Sequence, residues 1–122
     1  MPDKVCQKLI VNMDTPMGIG RLTAQAGHAS WLAVLNQSRW EGDDLVIPCQ
    51  GKPWLKAWLE GMFTKVALRG WGSEHILSLQ DAAIRAGIPV GLMEEDGYVT
   101  SLAVGPWDTA EIDSAIGRLN LL

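Results

Sequence analysis

The chain has 122 residues, enough for one domain with a real core and too few for two. Hydrophobic residues make up 48% and charged residues 20%, an ordinary globular balance, and no apolar run reaches the roughly 18 residues that a membrane span needs. The net charge of −4 argues against a protein that holds nucleic acid by its overall field, so any such contact must come from a local cluster of Lys and Arg.

The first residues, MPDKVCQK, are polar and predict no secretory signal. Cys6 and Cys49 lack CxxC spacing, which argues against zinc and predicts two reduced thiols in a cytoplasmic protein. KLIVNM (8–13) is an apolar, branched run expected to be a buried strand. DTPMGIG (14–20) is a loop by its Pro16, Gly18 and Gly20, and a helix follows from Gly20 to Asn36. Residues 37–52 are mixed and polar and predict a long loop. PWLKAWLEG (53–61) has Pro in its first turn and Gly at its end, the marks of a short helix.

TKVAL (64–68) predicts a second strand. SEHILSLQDAAIRAG (73–87) predicts a helix with Ser73 as cap and Gly87 as terminator. PVGLME (89–94) and YVTSLAVG (98–105) predict two more strands, joined by the hairpin dipeptide Asp96-Gly97. DTAEIDSAIGRL (108–119) predicts the last helix, with Asp108 and Glu111 as a capping box. Strands alternating with helices predict a mixed sheet covered on both faces. Ligands of such sheets gather at the carboxyl ends of strands, where DTPMGIG lies.

Within GRLTAQAGHAS, Arg21, Gln25 and His28 are spaced by four and then three, which places them in one helical stripe. The stripe is either a site or a solvated face, and the small residues around it require only close packing. Gly18 and Gly20 ahead of a helix suit either an anion or a plain turn. Trp54 and Trp58 lie four apart and read first as core, otherwise as a stacking surface for bases or the face of a homodimer. Lys52, Lys56, Lys65 and Arg69 form a basic patch or simply a solvated face. His75 reads as a surface or capping residue, and neither Ser30 nor Cys49 has a nucleophile-elbow context.

MGIGRLTAQAGHAS resembles the glycine-lysine-rich signature of the type II peptidyl-tRNA hydrolases. LAVGPWDTAEIDSAIGRLNLL resembles the end of that family, and KPWLKAWLEGMFTKVAL with AGIPVGLM resembles its middle. Only residues 37–52 lack a counterpart, so 1–122 reads as one such domain with a loop insertion. The resemblance implies a three-layer α/β/α sandwich around a four-stranded mixed sheet. It also implies an esterase, without metal or cofactor, that cleaves the ester between a peptide and the 3′ ribose of tRNA. Asp14, Gly18, Gly20, Gln25, His28 and Ala29 match the family's positions. Arg21 stands where the family has a lysine, and a guanidinium serves as an electrostatic clamp better than as a proton donor.

Ile19 replaces a second family lysine, and a loop carrying a threonine is missing, with Asp96-Gly97 in its place. The family's acidic position falls on Glu95, with Asp96 beside it, and a later threonine is present as Thr100. The resemblance therefore implies a catalytic set of Arg21, Gln25, His28, Glu95, Asp96 and Thr100. Glu95 is expected to be the carboxylate nearest Arg21, whereas Asp96 should bond its own turn. Arg21, Gln25 and His28 should be partly exposed at one cleft. Gly18, Gly20, Lys52, Lys56, Lys65 and Arg69 are expected to meet tRNA through a basic strip continuous with Arg21. The alternative function is a non-catalytic relative that binds a nucleotide, tRNA or a protein partner through the same crevice.

Overall fold

A computed structural model describes residues 4–122, so the first three residues of the polar start lie outside the described part. The first strand, β1 (Val5–Asn12), starts three residues earlier than the apolar run predicts. The reason is Gln7, which is fully buried yet satisfied. Its amide donates to the carbonyls of Ser30 and Gly105, each at 3.1 Å, and its carbonyl accepts from the Ser30 hydroxyl. A polar residue inside the sheet hides a strand from sequence patterning but costs little once each group is paired.

The remaining elements are α1 (Ile19–Leu35), β2 (Arg39–Glu41), β3 (Asp44–Val46), α2 (Pro53–Glu60), β4 (Lys65–Gly70), α3 (Ser73–Arg85), β5 (Val90–Glu95), β6 (Tyr98–Asp108) and α4 (Thr109–Ile116). The main sheet has the order β4-β1-β6-β5, with β1 parallel to β4 and antiparallel to β6, and β5 antiparallel to β6. It is the expected four-stranded mixed sheet of an α/β sandwich. Leu9 and Val11 of β1 face α1, whereas Ile10 between them packs with Ile76 of α3 and Ile112 of α4. Period-two alternation thus gives each face of the sheet its own core. No helix among the described residues is long and apolar enough to cross a membrane.

Three local expectations need correction. Residues 37–52 are not only loop: Arg39–Glu41 pairs with Asp44–Val46 in a small hairpin, turned at Gly42 with φ 61°. Three-residue strands with exposed charged ends are too short for an alternation signal. Ser73 does not cap α3; Gly72 occupies that position, and the Ser73 hydroxyl accepts from the Val99 amide at 3.2 Å. The last helix stops at Ile116 instead of 119, because Gly117 turns the chain at φ 76°. Its start is as predicted, since the Asp108 carboxylate accepts from the Glu111 amide at 3.0 Å.

Helix α1 comes unusually close to the sheet. Ala26, Ala29 and Ala33 face Ala103, and on β5 the neighbouring residue is Gly91. A side chain at Gly91 would lie 2.5 Å from the Ala29 carbonyl oxygen and the Ala33 amide. The small residues therefore set the distance from helix to sheet, and with it the position of everything α1 carries.

Candidate active site

The carboxyl ends of β1 and β4, the start of α1 and the β5–β6 turn share one end of the sheet. Asn12, the last residue of β1, organises that end. It is 1% exposed, donates to the Val99 carbonyl at 2.8 Å, and accepts from the amides of Asp14 and Gly72 at 2.8 and 3.1 Å. One buried amide thereby joins β6 to the loops that follow β1 and β4. Trp71, in the second of these loops, donates its amide to His75 Nδ1 at 3.0 Å, so His75, read as a surface or capping residue, ties the loop ahead of α3 and does not cap the helix itself.

The β5–β6 turn is the two-residue hairpin predicted from Asp96-Gly97, with φ 52° and 82°. Arg21, in the first turns of α1, reaches it from the side. Its Nη2 donates to Glu95 Oε2 at 2.7 Å and to Asp96 Oδ2 at 2.9 Å. Asp96 thus departs from expectation: its side chain turns to Arg21 and not to its own backbone. The left-handed φ at Asp96 swings its side chain out of the strand alternation, which lets two successive carboxylates meet one cation. Both raise the Arg21 pKa above its already high ordinary value, the Asp96 hydrogen bond first and the Glu95 bond next. Arg21 is a permanent cation here.

Gln25, one turn further along α1, is buried at 7% exposure and does not stand open in the cleft as the stripe suggested. Its Oε1 accepts from the Thr100 hydroxyl at 2.8 Å; the same hydroxyl lies 3.1 Å from the Met93 carbonyl, a longer alternative for its single proton. The Gln25 backbone carbonyl accepts from the Ser101 hydroxyl at 2.9 Å. Thr100 and Ser101 are adjacent yet both face α1. A bulge makes this possible: Met93 pairs with Ser101 and Glu94 with Val99, leaving Thr100 as the extra residue. Thr100 is fully buried behind Gln25. His28 is exposed and its side chain makes no hydrogen bond among the described residues; it lies two helical turns, about 10 Å, along α1 from Arg21.

The structure therefore brings together Arg21, Glu95 and Asp96, with Gln25 and Thr100 one turn deeper. The candidate RNA contacts are dispersed. Gly18 caps α1 without a side-chain bond, Gly20 lies in its first turn, and a Cβ on either would meet nothing within 4 Å. Lys65 and Arg69 project from β4, at the edge of the sheet opposite β5. Lys56 pairs with Glu60 at 3.7 Å, and Lys52 lines a cleft with Trp54 and Trp107 near the far end of α1. Sequence reasoning missed Asn12, Ser101 and the bulge. An Asn ahead of a Pro-Gly loop is a signal for the first; the bulge leaves none.

Fold and site define an α/β sandwich with a charged, hydrogen-bonded cluster where its strands open to solvent. The chain matches the family described as peptidyl-tRNA hydrolase PTH2 over residues 5–122. It is 35% identical to the peptidyl-tRNA hydrolase of Methanopyrus kandleri, covering 95% of this chain and 97% of that one. The Halobacterium salinarum protein of the same name is 31% identical over 94% and 97%. That of Saccharolobus islandicus is 29% identical over 93% and 96%. The chain belongs to the peptidyl-tRNA hydrolase PTH2 family.

Proposed function

We propose that this protein hydrolyses the ester joining a peptide to the 3′ ribose of tRNA, in the cytoplasm where translation supplies that substrate. The observation that carries the reading is the Arg21 bridge to Glu95 and Asp96 beside a fixed Gln25, in a chain of this family. Ester hydrolysis needs a positioned water, a group to take its proton and a donor for the oxyanion. Glu95 takes the proton as water adds to the ester carbon. The Gln25 amide, its carbonyl end held by Thr100, offers N–H to the oxygen that becomes negative, and Arg21 offsets the charge. Collapse breaks the bond to the ribose 3′ oxygen, which receives the proton back from Glu95. The products are a free peptide and a tRNA with its hydroxyl restored.

Turnover of peptidyl-tRNA, compared with an unrelated carboxylic ester, tests the reading. Selective release of free tRNA is expected; binding without turnover would replace the enzyme by a non-catalytic relative.

Both Arg21 contacts come from one nitrogen, Nη2, so the bridge does not use the planar fork that distinguishes Arg from Lys. Arg21→Lys should therefore keep kcat within about threefold, whereas Arg21→Met should lower it by about 100-fold, as loss of an oxyanion-stabilising charge does. Steady-state kinetics on peptidyl-tRNA distinguish the two; equal losses would mean that the guanidinium shape matters. Thr100 acts through Gln25. Thr100→Val keeps the shape but removes the hydroxyl, and should lower kcat about tenfold and stability by about 1–2 kcal/mol. Thr100→Ser should restore kcat. Loss of stability without loss of kcat in the Val variant would reduce Thr100 to a packing role.

A further inference from the structure

Phe63 is half exposed and stands in the turn between α2 and β4 with φ 54°, a conformation that a bulky side chain rarely adopts. Its ring stands edge-on to Trp58, centroids 5.7 Å apart. The Lys65 ammonium lies 5.1 Å from the Trp58 ring centre and 5.8 Å from that of Phe63. Among the described residues Lys65 pairs with no carboxylate, although the chain as a whole is acidic. Trp31 of α1, 56% exposed, lines the same cleft of about 420 Å³, and no residue lining it is acidic. The Lys65 ammonium donates to the Phe63 carbonyl at 3.0 Å, which leaves two of its three N–H groups for another acceptor. Exposed aromatic rings, a cation without a carboxylate partner and an absence of negative charge occur together on this face.

We infer that Trp31, Phe63 and Lys65 form a stacking platform for unpaired RNA nucleotides. An aromatic face accepts any base, and an adjacent ammonium meets the phosphate that follows it. Backbone strain of this kind clusters at ligand-binding positions. Trp54 and Trp58, read first as core and only otherwise as a stacking surface, follow the first reading: Trp58 is 5% exposed and Trp54 packs on Trp107 with centroids 4.1 Å apart. The cleft lies on the flank of α1 away from Glu95. The platform thus holds RNA apart from the reacting ester. This inference rests on the reading that the protein handles tRNA.

The test uses the full chain and a single-stranded RNA hexanucleotide, with the same sequence as a duplex for comparison, followed by tryptophan fluorescence. Phe63→Gly should weaken hexanucleotide binding about tenfold, the typical effect of losing one stacked base, and leave duplex binding unchanged. Because glycine accepts positive φ freely, the same variant should keep its Tm. Trp31→Ala, on an exposed helical position, carries the same expectation for affinity and decides the matter should Phe63→Gly lose Tm as well. Lys65→Gln should reduce the salt slope of binding by about 0.7, one phosphate contact on a single strand. Unchanged affinity in the Phe63 and Trp31 variants overturns the platform, as does a dimer that dissociates in them while RNA binding persists. A chain that cleaves peptidyl-tRNA yet binds the hexanucleotide no better than its variants overturns the platform alone. A chain that binds through Phe63 yet leaves peptidyl-tRNA intact overturns the hydrolase reading alone.

Discussion

Glu95→Gln is expected to lower kcat for peptidyl-tRNA hydrolysis by about 100- to 10,000-fold, the range of a lost general base. Glutamine keeps an oxygen for Arg21, so the hairpin should hold and tRNA affinity should change little. The same substitution type at Asp96 should cost less than about tenfold. Glu95 ends a paired strand and its side chain is 38% exposed, whereas Asp96 sits in the turn at 68%. A proton acceptor works best where its position is fixed, and a strand fixes it better than a turn tip. The structure nevertheless gives Asp96 a share in holding Arg21, which the sequence did not suggest. Single-turnover hydrolysis with parallel binding measurements separates the cases. Large, equal losses would make the two carboxylates act as one unit; small, equal losses would move the base away from this hairpin.

Gly91→Ala is expected to destabilise the protein by about 3 kcal/mol, the upper range for overpacking, and to lower Tm by roughly 10 °C. The added Cβ would meet the Ala29 oxygen and Ala33 amide at 2.5 Å, and helix backbone cannot rotate away as a side chain can. Relief requires α1 to move off β5, which would also carry Gln25 away from Thr100. Activity should therefore fall in the fraction that remains folded. Gly27→Ala on the same helix is the control. A Cβ there meets nothing within 4 Å, so the variant should gain about 0.5–1 kcal/mol from helix propensity. Calorimetry of both variants checks the contrast; equal Tm values would mean that α1 shifts freely over the sheet.

The order of the main elements was legible in the sequence because their signals are local. KLIVNM is a branched apolar run, Asp96-Gly97 a turn dipeptide, and Asp108 with Glu111 a cap within one helical turn. The 3.6-residue period likewise put Arg21 and Gln25 on one side of α1, and the match to the family's motif marked Glu95 and Thr100. Other features depended on residues far apart in the chain. Gln7 belongs to a buried strand only because Ser30 and Gly105 satisfy it, 23 and 98 positions away. Thr100 reaches Gln25 only through a bulge, a difference in pairing between two strands that neither strand encodes alone. Asp96 meets Arg21 only because a left-handed turn residue escapes strand alternation and α1 lies beside the hairpin. Period and capping are set by neighbours within a few residues, so the sequence determined the elements and the stripe. Burial, bulge and charge pairing depend on which elements pack together, so only the tertiary structure decided that Gln25 is buried, that the Thr100 hydroxyl bonds it from behind, and that one cation holds two carboxylates.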